Sequence, residues 1–130
     1  ALEIAQAKDF VDKLPQGLDT LIYQGGKNLS GGQRQRLTIA RAIIGKPDIL
    51  ILDDSSSALD TMTEKALRRA LIKLDCTLII ISQKASSVKE ANRLFVLEHG
   101  SLLAQGTHQQ LYQQCSIYHA ICDSQGMGGN

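Results

Sequence analysis

The sequence predicts an α/β fold, on three observations. Two short, branched apolar runs, Ile49–Leu52 and Leu78–Ile81, read as buried parallel strands. Between them Leu67, Leu71 and Leu74 give the apolar stripe of an amphipathic helix. Two further apolar runs flank His99-Gly100, as in a hairpin. The length of 130 residues falls in the usual range for one domain. No apolar run exceeds four residues, far short of the roughly 20 that a membrane-spanning helix needs. The first residues lack the basic start and apolar stretch of a secretory signal. With 14 basic and 13 acidic residues there is no cationic surplus, which argues against nucleic acid as a partner. Three cysteines, without a CxxC, indicate neither a disulfide framework nor a zinc site and favour a reducing compartment.

In chain order, Ile4, Ala7, Val11 and Leu14 mark an opening amphipathic helix, ended by Pro15-Gln16-Gly17. A loop with Gly25 and Gly26 leads to Leu29-Ser30-Gly31-Gly32-Gln33, after which Leu37, Ala40 and Ile44 resume helical spacing. Ser30 fits the N-cap of this helix, and Gly45 its stop, with Pro47 just beyond. Asp53 and Asp54 close the first strand. Thr61-x-x-Glu64 reads as a capping box for the next helix, so residues 49–81 form a β-α-β unit. Ser87-x-x-Glu90 caps a short helix, and Leu94–Leu97 pairs with Leu102–Ala104. Thr107-x-x-Gln110 opens a helical stretch carrying Leu111, Cys115, Tyr118 and Cys122, and the tail Gly126–Asn130 is expected to fray.

Two groups of residues could carry chemistry. Glycines at a helix start let a ligand approach the backbone closely, and the first helical amides have no internal acceptors. Together with the helix dipole this makes an anion site, to which Ser30 adds a hydroxyl and Gln33 an amide. Asp53, at the carboxyl end of a parallel strand, suits a magnesium ion shared with water and a nucleotide phosphate. Asp54 beside it could orient a nucleophilic water. Taken alone, the first group also fits a plain capped junction, and the second a strand ending in a turn. His99, His108 and His119 have no metal-ligand spacing, and Arg34, Arg36 and Arg41 read as a solvated helix face. The cluster Lys65, Arg68, Arg69 and Lys73 reads the same way, and the cysteines as core or half-buried residues.

Taken together, the motifs resemble a known family. The run from Leu29 to Arg36 is similar to the signature of ATP-binding-cassette (ABC) transporter ATPases, Ile49–Asp53 to their Walker B strand, and Ser57-Ala58-Leu59-Asp60 to their D-loop. Gln83 occupies the switch position, and residues 94–111 resemble the closing hairpin and helix of exporter-type cassettes. The resemblance implies the C-terminal part of a P-loop NTPase (RecA-like) ABC ATPase domain. Residues 1–45 would be part of its helical subdomain with the signature helix, and 46–130 part of its α/β core. It also implies ATP and Mg2+ as cofactors, a second cassette in a head-to-tail dimer, transmembrane domains, and a place on the cytoplasmic face of the cell membrane. Leu29, Ser30, Gly31, Gly32 and Gln33 would serve the partner's nucleotide. Asp53 would hold the metal, Asp60 would link the two sites, and Asp54 and Gln83 would take the catalytic positions.

Three departures qualify the resemblance. Asp54 stands where the family has glutamate, and Gln83 where it has histidine. Neither Gly26-Lys27 nor Gly45-Lys46 completes GxxxxGK[ST], so no Walker A motif is present and the chain alone is expected to be inactive. An intact signature beside altered catalytic positions resembles the degenerate-site subunit of a heterodimeric multidrug or lipid exporter. The competing expectations are a soluble ABC-type ATPase working on DNA or ribosomes, and a non-enzymatic interaction module with vestigial motifs.

Overall fold

The computed structural model describes residues 1–55 and 57–127, so part of the tail expected to fray, 128–130, lies outside the described residues. The chain divides into two compact units, Ala1–Ile81 and Ser82–Asn130.

The first unit runs α1 (Lys8–Val11), α2 (Gly31–Ile43), β1 (Ile49–Asp53), α3 (Thr61–Leu71) and β2 (Thr77–Ile81), with single 3-10 turns at Gly17–Asp19 and Gln24–Gly26. The expected opening helix is shorter than its periodicity suggests. Gln6 adopts φ 56°, and the Ala7 and Gln6 amides donate back to Leu2 and Glu3 at 2.7 and 3.0 Å. That pair of bonds is a Schellman closure, which ends one helical turn before α1 begins. Ala5, Ala7 and Val11 nevertheless stay buried.

β1 and β2 pair in parallel, from Ile49 opposite Thr77 to Asp53 opposite Ile81. Leu50 and Leu52 point into a core with Ile39, Ala40 and Ile43 of α2 and Leu67 and Leu71 of α3. The sequence suggests strands buried on both faces, and the structure corrects this. Ile49 and Ile51 are 58% and 60% exposed, and Ile79 and Ile81 lie on the same open side at 43% and 51%. Side chains alternate across a strand, so one face is core and the other uncovered.

Helix ends account for two other differences. The left-handed residue closing α2 is Lys46, at φ 49°, and not the expected Gly45. The N-cap of α3 is Asp60, one residue before the expected Thr61. Both Asp and Thr are strong caps, so spacing alone does not separate them.

The second unit holds α4 (Ala85–Val88), β3 (Leu94–Glu98), β4 (Ser101–Gly106), α5 (His108–Gln114) and α6 (Ser116–Ser124). The antiparallel β3–β4 hairpin turns at His99-Gly100, with φ 47° and 77°, as a two-residue primed turn requires. Thr107 and Gln110 form the expected capping box. Ser87 is not a cap: it lies buried inside α4, which starts two residues earlier. The stretch after Thr107 is two helices, because Cys115 leaves helical geometry at φ −116° and ψ 103°. Leu111, Cys115, Tyr118 and Cys122 still share one core with Ala85, Leu94 and Val96. Cys76 is half-buried, and all three cysteines are free. No helix among the described residues is long and apolar enough to cross a membrane.

One-sided burial of β1 predicts unequal costs of truncation. Leu50→Ala should lower the unfolding free energy by about 2–5 kcal/mol. Ile51→Ala should cost less than about 1 kcal/mol in this chain. Urea titration of both variants measures the difference, and equal losses would contradict it.

Candidate functional site

The start of α2 is built by a reciprocal cap. The Ser30 hydroxyl oxygen accepts the Gln33 amide at 3.2 Å, and the Ser30 amide donates to Gln33 Oε1 at 2.8 Å. This capping box consumes acceptor capacity on both side chains. It leaves their donors, the Ser30 hydroxyl hydrogen and the Gln33 carboxamide N–H groups, beside the Gly31 and Gly32 amides, which lie in the first turn and have no intrahelical acceptor. A cluster of donors at a helix N-terminus is what an anion needs. Leu29 is buried, so it anchors the approach to the helix and its side chain is withdrawn from any ligand.

The glycines matter for fit. A Cβ on Gly32 would come within 3.0 Å of the Ala58 carbonyl oxygen, and one on Gly31 would touch the Ala58 side chain at 3.5 Å. The expected anion-binding turn and the segment carrying Ser57-Ala58-Leu59-Asp60 therefore pack directly together. Arg34 and Arg41 are exposed, as expected of a solvated face, whereas Arg36 is half-buried, and both Arg34 and Arg36 also bind backbone. Arg34 Nη1 donates to the Leu29 carbonyl at 2.8 Å, and Arg36 Nη1 donates to the Gln6 carbonyl at 2.6 Å. The Arg36 guanidinium also stacks 4.7 Å above the Phe10 ring. In the second basic cluster Arg68 pairs with Glu64 at 2.8 Å, both side chains mostly buried.

At the carboxyl end of β1, Asp53 is exposed. Asp54 adopts φ 44°, and its amide extends the parallel ladder by donating to the Ile81 carbonyl at 3.0 Å. A left-handed non-glycine residue stores strain, on the order of 1–3 kcal/mol, and persists only where neighbours hold it. Gln35 is such a neighbour, and its role escaped the sequence reading. Its Nε2 donates to the Asp54 carbonyl at 3.3 Å, and its Oε1 accepts the Ala58 amide at 3.2 Å. One carboxamide thus fastens both ends of the loop to α2. Neither bond connects residues near in sequence, so spacing gave no signal.

Asp60 serves its own helix. Oδ1 accepts the Met62 and Thr63 amides at 3.1 and 3.0 Å, and Oδ2 accepts the Thr63 hydroxyl at 2.6 Å. These bonds, the Thr63 hydroxyl first, hold its carboxyl below the ordinary value of 3.8.

In the second unit Gln83 is exposed and its carbonyl accepts Gln125 Nε2 at 2.8 Å. The histidines have structural partners or a turn. His99 sits in the hairpin, and His108 Nδ1 lies 2.9 Å from the Tyr118 hydroxyl, whose pKa is pushed up to about 12, chiefly by burial. His119 packs edge-on to Tyr112, ring centres 4.4 Å apart.

No group of three or more metal-ligating side chains occurs among the described residues. Asp53 offers a single exposed carboxylate, so a magnesium ion held there would need its other ligands from water and phosphate.

A donor-rich helix start thus packs against the loop that follows two carboxylates at the end of a parallel strand. A family profile described as "ABC transporter" matches residues 3–57. An uncharacterized ABC transporter ATP-binding protein of Bacillus subtilis is 47% identical over 125 residues, covering 96% of this chain and 22% of that protein. The structure of a bacterial Atm1-family ABC exporter with ATP bound superimposes with a TM-score of 0.91 at 35% identity, covering 96% of this chain and 22% of that one.

The chain's homologues are ABC transporters. Its mixed α/β fold matches part of the ABC ATPase domain of an exporter. An ATP-dependent lipid A-core flippase of Haemophilus influenzae is 43% identical over 130 residues, and multidrug resistance protein 3 of Entamoeba histolytica is 43% identical over 127. The chain spans 22% and 10% of those two proteins.

The Asp60 cap predicts a pH signature. Folding lowers this pKa, so the cap's contribution is present above about pH 3.8 and is lost as pH falls through the folded value. Asn keeps a capping oxygen and does not titrate. The stability difference between wild type and Asp60→Asn should therefore shrink as pH drops below about 4, read from urea midpoints. A difference constant from pH 6 to pH 2.5 would contradict this.

Proposed function

We propose that this chain is the part of an exporter's ATPase domain that presents its signature to a second cassette, while the end of its β1 serves its own nucleotide. The observation that carries the reading is the capping box at Ser30 and Gln33. It fixes the first turn of α2 and leaves the Ser30 hydroxyl and Gln33 amide donors available, which suits the γ-phosphate of an ATP held by the partner cassette. Asp53 supplies one carboxylate for Mg2+ at the chain's own site, and Asp60 lies in the loop between the two functions. Bound Mg2+ would supply neutralisation of the phosphate charge.

Residues 1–45 form the signature-bearing part of the helical subdomain in this reading, and 46–130 the C-terminal part of the α/β core. The open isoleucine face of β1 and β2 supports it, since parallel strands are normally covered on both sides. The part of the domain that carries Walker A is the proposed cover, and without it the chain should not hydrolyse ATP. The whole protein would then couple ATP binding and hydrolysis to export through transmembrane domains, with this domain at the cytoplasmic face of the membrane.

The partner cassette is proposed to be a different chain. Asp54 is one methylene shorter than the glutamate it replaces, and misplacement of a catalytic group by about 1 Å can cost on the order of a hundredfold in rate. Gln83 can hydrogen-bond a phosphate oxygen but cannot become a cation near neutral pH, as histidine can. The intact signature serves the competent site, and ATP at this chain's own site turns over slowly.

Two experiments on the assembled transporter test the reading. Ser30→Ala removes a donor aimed at the partner's nucleotide and should lower ATPase turnover by about a hundredfold. Unchanged turnover would refute the signature role, and an absence of any ATPase in the unmutated protein would favour an interaction module. Asp54→Glu combined with Gln83→His should raise single-site turnover at this chain's own site, and no rise would contradict the degenerate assignment.

A further inference from the structure

The segment that carries Gln83 is held by a side chain distant in sequence. Gln125 follows α6 and precedes Gly126, whose φ of 71° closes that helix, with the Met127 amide donating to the Cys122 carbonyl at 2.9 Å. Its Nε2 donates to the Gln83 carbonyl at 2.8 Å, and its Oε1 accepts the Ala85 amide at 2.8 Å. Gln83 precedes α4, a helix of four residues that has no side-chain cap at its N-terminus. The Ala85 amide is the first in that helix and would otherwise be an orphan donor. Gln125 thus does for this segment what a cap does for a helix, and adds a bond to the residue at the switch position itself. Cys122, three residues earlier, is fully buried and packs with Tyr118 and Ala85, so the clamp stands on the core of its unit.

We propose that Gln125 is a positioning residue for Gln83: it fixes the backbone from which the switch side chain reaches its phosphate. The proposal rests on the nucleotide role given to Gln83 above. A carboxamide suits the task because it donates and accepts at once. A carboxylate only accepts, and regains a donor when protonated.

The test uses the assembled transporter with Gln125→Met and Gln125→Glu, read by single-site ATP turnover at this chain's own site and by hydrogen exchange at the Ala85 amide. Gln125→Met keeps the side-chain length and loses both bonds. At that site kcat should fall about tenfold with the KM for ATP within about twofold, and exchange at Ala85 should quicken about tenfold. Gln125→Glu should keep Ala85 protected and lose turnover at neutral pH. Its activity relative to wild type should recover as acidification protonates the new carboxyl, a pH profile that mere loss of packing would not produce. Wild-type kcat in Gln125→Met, or unchanged exchange at Ala85, would overturn the proposal. If the unmutated transporter shows no ATPase, the nucleotide reading fails instead, and exchange at Ala85 decides the clamp by itself.

Discussion

The parallel pairing of β1 with β2 is the constraint on which the first unit depends. It sets Asp53 opposite Ile81, and the Asp54 amide then extends the ladder by one bond to the Ile81 carbonyl. Beyond that bond the backbone turns left-handed, so chain direction changes at the residue bearing the second carboxylate. The same pairing fixes which side of the strands is apolar core. α2 and α3 supply Ile39, Ile43, Leu67 and Leu71 to that one side, and this brings the start of α2 against Ala58. The close approach then requires glycine at position 32. Strand register, helix packing and the donor cluster are therefore linked steps.

Glutamine side chains fix several of the loops and helix starts. Gln33 and Gln110 complete capping boxes, Gln35 ties Asp54 to Ala58, and Gln125 ties Gln83 to Ala85. In each case a carboxamide oxygen accepts a backbone amide that secondary structure leaves unpaired. In the two loop clamps the nitrogen also donates to a carbonyl. Orphan backbone groups are the obligatory debt of every helix start and tight loop, and a long neutral side chain meets it without the solvation demands of a charge.

This division explains what was legible in the sequence. Features set by short spacing could be read: the caps at Ser30 and Thr107, the hairpin at His99-Gly100, and the run of motifs that carries the family resemblance. Local competition blurred others, since Asp60 and Thr61 are both good caps and the structure uses the former. The helix break at Cys115 was hidden because Leu111, Tyr118 and Cys122 keep facing one core on either side of it. The turn at Gln6 was hidden because a left-handed glutamine carries no sequence mark. Gln35 and Gln125 were invisible for a different reason. Their partners lie 19 to 42 residues away, and the contacts exist only once the strands and helices have been brought together.

The Gln35 clamp also bears on the catalytic role proposed for position 54. A shortened carboxylate at position 54 would matter little if its loop could slide toward the phosphate by one bond length. The loop has little freedom to do so. The Asp54 amide is held by the Ile81 carbonyl, its own carbonyl receives both the Ser57 amide and Gln35, and the Ala58 amide is held by Gln35 at the far end. Advancing the backbone would break these bonds, each worth about 0.5–1.5 kcal/mol net, while also pressing Ala58 against the glycines of α2. The reach lost with one methylene is therefore not recovered by the main chain. That supports the slow hydrolysis proposed for this chain's own site. The same anchoring holds the start of α2, so under the proposed reading one loop would favour function toward the partner cassette and restrain it at the chain's own site.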